Sequence, residues 1–138
     1  MTEKPVQTRD TRPTRALRLL LASIMIGAGV LHLLEPAGFV KIVPSFLPAP
    51  EILVLVSGVC EISGGMGLLL RRTRRLASFG LIALLVAVFP ANINMAVNAI
   101  QPDGMHVPVS LFWLRLPLQA LFVAWAWWVG RPGESGPA

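Results

Sequence analysis

The chain has a single cysteine, Cys60, and two histidines. One cysteine permits no internal disulfide and no C-x-x-C couple, so dithiol–disulfide exchange would need a second protein to supply the other thiol. Two histidines, one cysteine and no E-x-x-H spacing do not make a convincing haem or zinc ligand set, and no metal is expected. Charge is scarce as well. Asp, Glu, Lys and Arg make up 14% of the 138 residues, against about 25% in an ordinary soluble domain. The net charge of +5 comes without aromatic interleaving or a recognisable module, so no nucleic-acid partner is expected.

What fills the chain instead is apolar sequence, 54% of it. Four segments stand out, 16–34, 51–70, 76–100 and 109–130, each close to or beyond the ~20 residues that cross a bilayer core. Any one of them could be a buried helix of a soluble protein; four in succession, with little polar sequence left over, read as spans. The expected fold is therefore an all-α integral membrane four-helix bundle over residues 15–131. A flexible basic tail (1–14) precedes it and a flexible tail (132–138) follows. The first apolar run ends in His32-Leu-Leu-Glu-Pro without a small-x-small cleavage site, so it reads as a retained span rather than a signal peptide.

The basic residues are placed unevenly. Lys4, Arg9, Arg12, Arg15 and Arg18 cluster at the start of the first span, Arg71, Arg72, Arg74 and Arg75 fill the second link, and Arg131 follows the fourth span, whereas the other two links hold only Lys41. This positive-inside pattern predicts a multi-pass protein of a bacterial-type cytoplasmic membrane with both termini cytoplasmic. The same clusters face anionic lipid head groups. The first link, residues 35–50, has four prolines, at 36, 44, 48 and 50, but also Phe39, Val40, Ile42, Val43, Phe46 and Leu47. It is expected to lie on the outer membrane surface as an interfacial segment, a short helical turn followed by extended chain. Residues 101–108 read as an ordinary turn. Trp113 near one end of span four, and Trp125, Trp127 and Trp128 near the other, suit interfacial aromatic belts.

Within the spans a polar set stands out. Glu61 lies roughly 15 Å below Glu51 at 1.5 Å per residue, near the midplane. Arg115 falls roughly 10 Å below the outer surface, with Gln119 one turn deeper. Asn92, Asn94 and Asn98 occupy the outermost ~12 Å of span three, and His32 the outer end of span one. Each span thus contributes a polar group to the outer half of the bilayer. Ser57, Cys60, Gly64 and Gly67 form a small-residue stripe beside Glu61, expected to pack against other helices. In span three, Gly80, Ala83, Ala87, Ala91, Asn94 and Asn98 share a side, and Asn92 points away unless Pro90 re-aims it. Glu61 is expected to pair with Arg115, directly or through a water, with His32 and the asparagines completing the network. Such a set is either interhelical glue or a ligand pocket. The cost of an ionisable group within a span favours a pocket for Glu61 and Arg115.

At these residues the chain resembles the DoxX-like family of small four-span membrane proteins. The resemblance rests on Gly29-VLHLLEPAGFVKIVPSFLP, Leu53-VLVSGVCEISGGMGLLL with the following Arg71-RTRRLASFGL, and Val88-FPANINMAVN. It implies a four-helix bundle similar in architecture to the vitamin K epoxide reductase group, whose paired cysteines this chain lacks. Some relatives are linked to quinone or thiosulfate oxidation, and a distant animal branch acts as an assembly chaperone for receptors. Three functions are therefore expected candidates. One is a subunit or accessory of a quinone-linked membrane redox system, with His32, Glu61, Asn92, Asn94, Asn98, Arg115 and Gln119 around a quinone or another small apolar-polar ligand. Another is a non-catalytic accessory or assembly protein docking a membrane or periplasmic partner through Phe39, Phe46 and Leu47. The third is a proton-coupled small-solute carrier.

Overall fold

The computed structural model describes residues 12–101 and 106–131. Among them are five helices and no strand: α1 (Arg12–Leu34), α2 (Pro36–Val40), α3 (Pro50–Leu69), α4 (Arg74–Val97) and α5 (Val109–Gly130). All but α2 are long and apolar enough to cross a membrane. Their outward faces carry Leu31, Val56, Val86 and Leu121 at half exposure or more. A water-soluble protein does not leave so much apolar surface uncovered. The chain is an all-α multi-pass membrane protein, a bundle of four spans whose outer faces have lipid as their solvent.

Helix and apolar run differ at the ends. The first helix starts at Arg12, inside the stretch expected to be tail, because backbone hydrogen bonding continues past the apolar run and Pro13 is tolerated in a first turn. The fourth helix stops at Val97 rather than running to residue 100. Ala99 takes a left-handed φ of 49° there, and the Ile100 amide returns to the Met95 carbonyl, closing a Schellman motif. The remaining tail residues 1–11 and 132–138, and residues 102–105 of the third link, lie outside the described residues.

Close approach of small residues sets the packing order. A methyl group on Gly58 would lie 2.8 Å from His32 Cβ and 2.9 Å from the Gly29 carbonyl, and one on Gly65 would lie 2.9 Å from the Ala22 carbonyl. α1 and α3 therefore cross nearly backbone to backbone, as small residues permit in membranes. The buried stripe of α3 is Val54, Gly58, Glu61, Gly65 and Leu68. Ser57, Gly64 and Gly67 are half-buried, with Gly64 against Leu81 and Gly67 against Ala77 of α4, but Cys60 is exposed. It points away from the bundle, not into it as its place in the small-residue stripe implied. On α4 the buried face is Ser78, Leu81, Leu85, Asn92, Met95 and Ala96, while Gly80, Ala83 and Ala87 are exposed. The side that Gly80, Ala83, Ala87, Ala91, Asn94 and Asn98 share is divided: its first part is exposed, while Ala91 and Asn94 are half-buried at the link end.

Two cores hold the bundle. Leu21, Ala22, Met25, Leu68, Leu81, Ala126 and Val129 pack near the end where α1 begins and α5 finishes, the arginine end. There Arg18, only 3% exposed, donates from Nε to the Val129 carbonyl at 3.2 Å and joins the start of α1 to the finish of α5. Ile42, Met95, Ala96 and Phe112 make the second core at the other end, the link end. The first link turns repeatedly rather than extending: the amides of Ile42, Val43 and Leu47 bond to Phe39, Val40 and Pro44 carbonyls. These turns satisfy backbone groups that extended chain would leave bare, and they fold Ile42 into the bundle mouth. Trp113, Trp127 and Trp128 are exposed near helix ends, as a belt requires. Trp125 instead faces the first core, stacked on Phe122.

Candidate functional site

Between the two cores lies a cavity of about 260 Å³, walled by α1, the first link, α3, α4 and α5. Most of its lining is apolar: Phe39, Val43 and Leu47 from the link, Val54 from α3, Leu84 and Val88 from α4. Four charged or hydrogen-bonding groups from the expected set reach it, one from each span: His32, Glu61, Asn92 and Arg115. Leu53, Ala87 and Arg115 are exposed as well as lining the cavity, so it opens sideways between helices.

Glu61 is the centre of the set. It is 7% exposed, and its Oε2 lies 3.1 Å from His32 Nδ1. The same Nδ1 lies 2.8 Å from the Ala28 carbonyl. A carbonyl oxygen at that distance needs an N–H, so Nδ1 carries the proton and points it at Ala28. Oε2 is thus in contact with the ring nitrogen yet has no hydrogen-bond partner among the described residues. The contact distance and the missing bond describe one arrangement, in which proximity favours charge pairing but the hydrogen bond goes elsewhere. On its other side the His32 ring stacks on Phe39, with centroids 3.8 Å apart, so α2 fixes the imidazole.

The expected Glu61–Arg115 pair does not form directly: the two line the same cavity, but no contact within 4 Å joins them. The close α1–α3 crossing brings His32 to Glu61 instead. The Arg115 guanidinium sits at the rim, where its Nη1 donates to the Met95 thioether at 3.9 Å. Asn92 is buried toward the bundle and donates to Gln119 Oε1, while Gln119 Nε2 donates to the Leu85 carbonyl. That carbonyl stands beside the point where Pro90 deprives the Val86 carbonyl of its helical donor. Gln119 backs Asn92 from behind and does not line the cavity.

Asn94 and Asn98 are set apart from the site. Asn94 donates to the Ile42 carbonyl at 2.9 Å and anchors the link. Asn98 donates to Asn94 Oδ1 at 2.7 Å at the end of α4. Of the expected docking residues, Phe39 and Leu47 are walls of the cavity, and only Phe46, 77% exposed, is free to meet anything else. Ser57 joins the lining unannounced, although its place one turn before Glu61 was a readable signal. Among the described residues no three of His, Cys, Asp and Glu come together. The polar set offers hydrogen bonds and charge.

A family model described as a domain of unknown function, DUF8561, matches residues 21–130. The chain belongs to that family. No curated protein and no solved structure matches it.

Proposed function

We propose that this member of the DUF8561 family binds the polar ring of a membrane-soluble quinol or quinone, as a subunit or accessory of a membrane redox system. The observation that carries the reading is the buried Glu61 carboxylate, which lines a largely apolar cavity and whose Oε2 has no hydrogen-bond donor among the described residues. A quinol hydroxyl is such a donor, and Glu61 is placed to accept its proton. Arg115, across the cavity, has N–H groups to offer the opposite oxygen. A volume of about 260 Å³ is just below the ~300–1,000 Å³ of pockets that enclose whole drug-sized ligands. It suits a head group, with an isoprenoid tail leaving by the sideways opening. The resemblance to the DoxX-like family supports the same assignment. In this reading the arginine end is cytoplasmic and the cavity lies in the outer half of the bilayer.

The test is a titration of the purified full-length chain with a short-tailed quinone and its quinol, for wild type and Glu61→Gln. The amide keeps the volume and loses the charged acceptor. Binding should weaken by roughly tenfold or more, the worth of a hydrogen bond to a charged group, while the melting temperature stays nearly unchanged. Absence of quinol binding to the wild type, with Glu61→Gln altering stability alone, would reduce the polar set to interhelical glue.

A further inference from the structure

Every described arginine except Arg115 gathers at the arginine end, while the described acids, Glu35, Glu51 and Glu61, lie at the link end or mid-span. These arginines have different tasks. Arg18 and Arg74 direct Nε to the Val129 and Leu68 carbonyls, at 3.2 and 3.4 Å, capping the final turns of α5 and α3. Arg75 and Arg131 are exposed and lie over aromatic rings: Arg75 Cζ is 5.9 Å from the Phe79 centroid and Arg131 Cζ 4.6 Å from that of Trp127. A guanidinium drawn to a ring by cation–π attraction uses none of its N–H donors and keeps them for an acceptor.

These two pairs flank one cleft of about 270 Å³ between α4 and α5, with Ser78 and Gly130 also lining it. The helices touch there: the Ser78 hydroxyl donates to the Ala126 carbonyl at 2.7 Å, and Gly130 leaves no room for a side chain against Ser78. We propose that the cleft seats the phosphate of an anionic phospholipid, with Arg75 and Arg131 donating to its oxygens. Charge favours an anion, and the layering favours a lipid over a soluble one. Phe79 and Trp127, each about half exposed, stand one turn, or roughly 6 Å, closer to the bilayer middle than their arginines. Phosphate and acyl chains meet cation and ring in that order. The site is separate from the cavity and stands whether or not a quinol binds there.

The experiment counts lipids on the purified full-length chain in neutral detergent by native mass spectrometry, with short-chain phosphatidylglycerol, phosphatidylcholine and inorganic phosphate as probes. One phosphatidylglycerol should bind saturably, phosphatidylcholine should bind far more weakly, and phosphate should not compete. An arginine near a lipid surface is worth about fivefold, so Arg75→Gln/Arg131→Gln should weaken binding roughly thirty-fold. Arg71→Gln/Arg72→Gln, with the same loss of charge, should leave most of it. If the first pair does not assemble, each single variant should show about a fivefold loss. Equal losses in the two double variants would mean diffuse attraction without a site. Competition by inorganic phosphate would make it a free-anion site, and equal binding of phosphatidylcholine would remove the role of charge; each of these overturns the proposal.

Discussion

A carboxylate oxygen in contact with an imidazole that has turned its proton to a backbone carbonyl is costly inside a bundle, because a buried acceptor without a donor forfeits its solvation. Energetic coupling should follow contact at Glu61. Glu61→Gln and His32→Gln touch the same 3.1 Å pair, so their effects on thermal unfolding in detergent should be non-additive by about 0.5 kcal/mol or more. Glu61→Gln and Arg115→Met alter residues that share a cavity without touching, and should couple less strongly than the contacting pair. The opposite ordering would return Arg115 to the place beside Glu61 that spacing alone implied. His32→Ala should be the more damaging single change, since it also removes the stack on Phe39.

Between elements, the α1–α3 crossing decides whether His32 and Glu61 meet at all. Gly58→Ala puts a methyl group 2.8 Å from His32 Cβ, so the helices must part. Overpacking of this kind costs roughly 1–3 kcal/mol. Ligand binding should fall along with the melting temperature, whereas Gly80→Ala, inside α4 with nothing nearby, should leave binding unchanged and raise the melting temperature slightly. At the end of α4 the sign reverses. Ala99 holds a left-handed φ of 49° where glycine is the unstrained residue. Ala99→Gly should stabilise the protein by about 1 kcal/mol, read as a higher melting temperature in detergent.

For the whole molecule, the alternating course of α1, α3, α4 and α5 places the first link and the arginine-rich second link at opposite ends. In a Cys60→Ser background, Ser45→Cys should react with a membrane-impermeant thiol reagent on intact cells, and Arg72→Cys should be protected. The reverse pattern would turn the cavity to the cytoplasmic side. Both positions are exposed on the protein, so membrane sidedness alone governs the outcome.

The four spans were legible from the sequence, and so was the end that holds the arginines, because length, apolarity and charge placement are properties of a linear string. Glu61 was legible for the same reason, since a carboxylate in an apolar run is conspicuous wherever the helix turns. Its partner was not. Depth along each helix put Arg115 roughly 10 Å down and His32 nearer the outer end, which favoured Arg115, but the choice between them lay in the rotation and approach of α1 on α3. That rotation is set by Gly29 and Gly58 meeting backbone to backbone, a contact between residues with no side chain to advertise it. Helical rotation also turned Cys60 outward, drew Asn92 inward to Gln119, and gave Asn94 to the link. Composition determined that the chain spans the membrane with costly polar groups inside it. Only tertiary packing decided which of them share a cavity, because which faces meet depends on how helices fit one another.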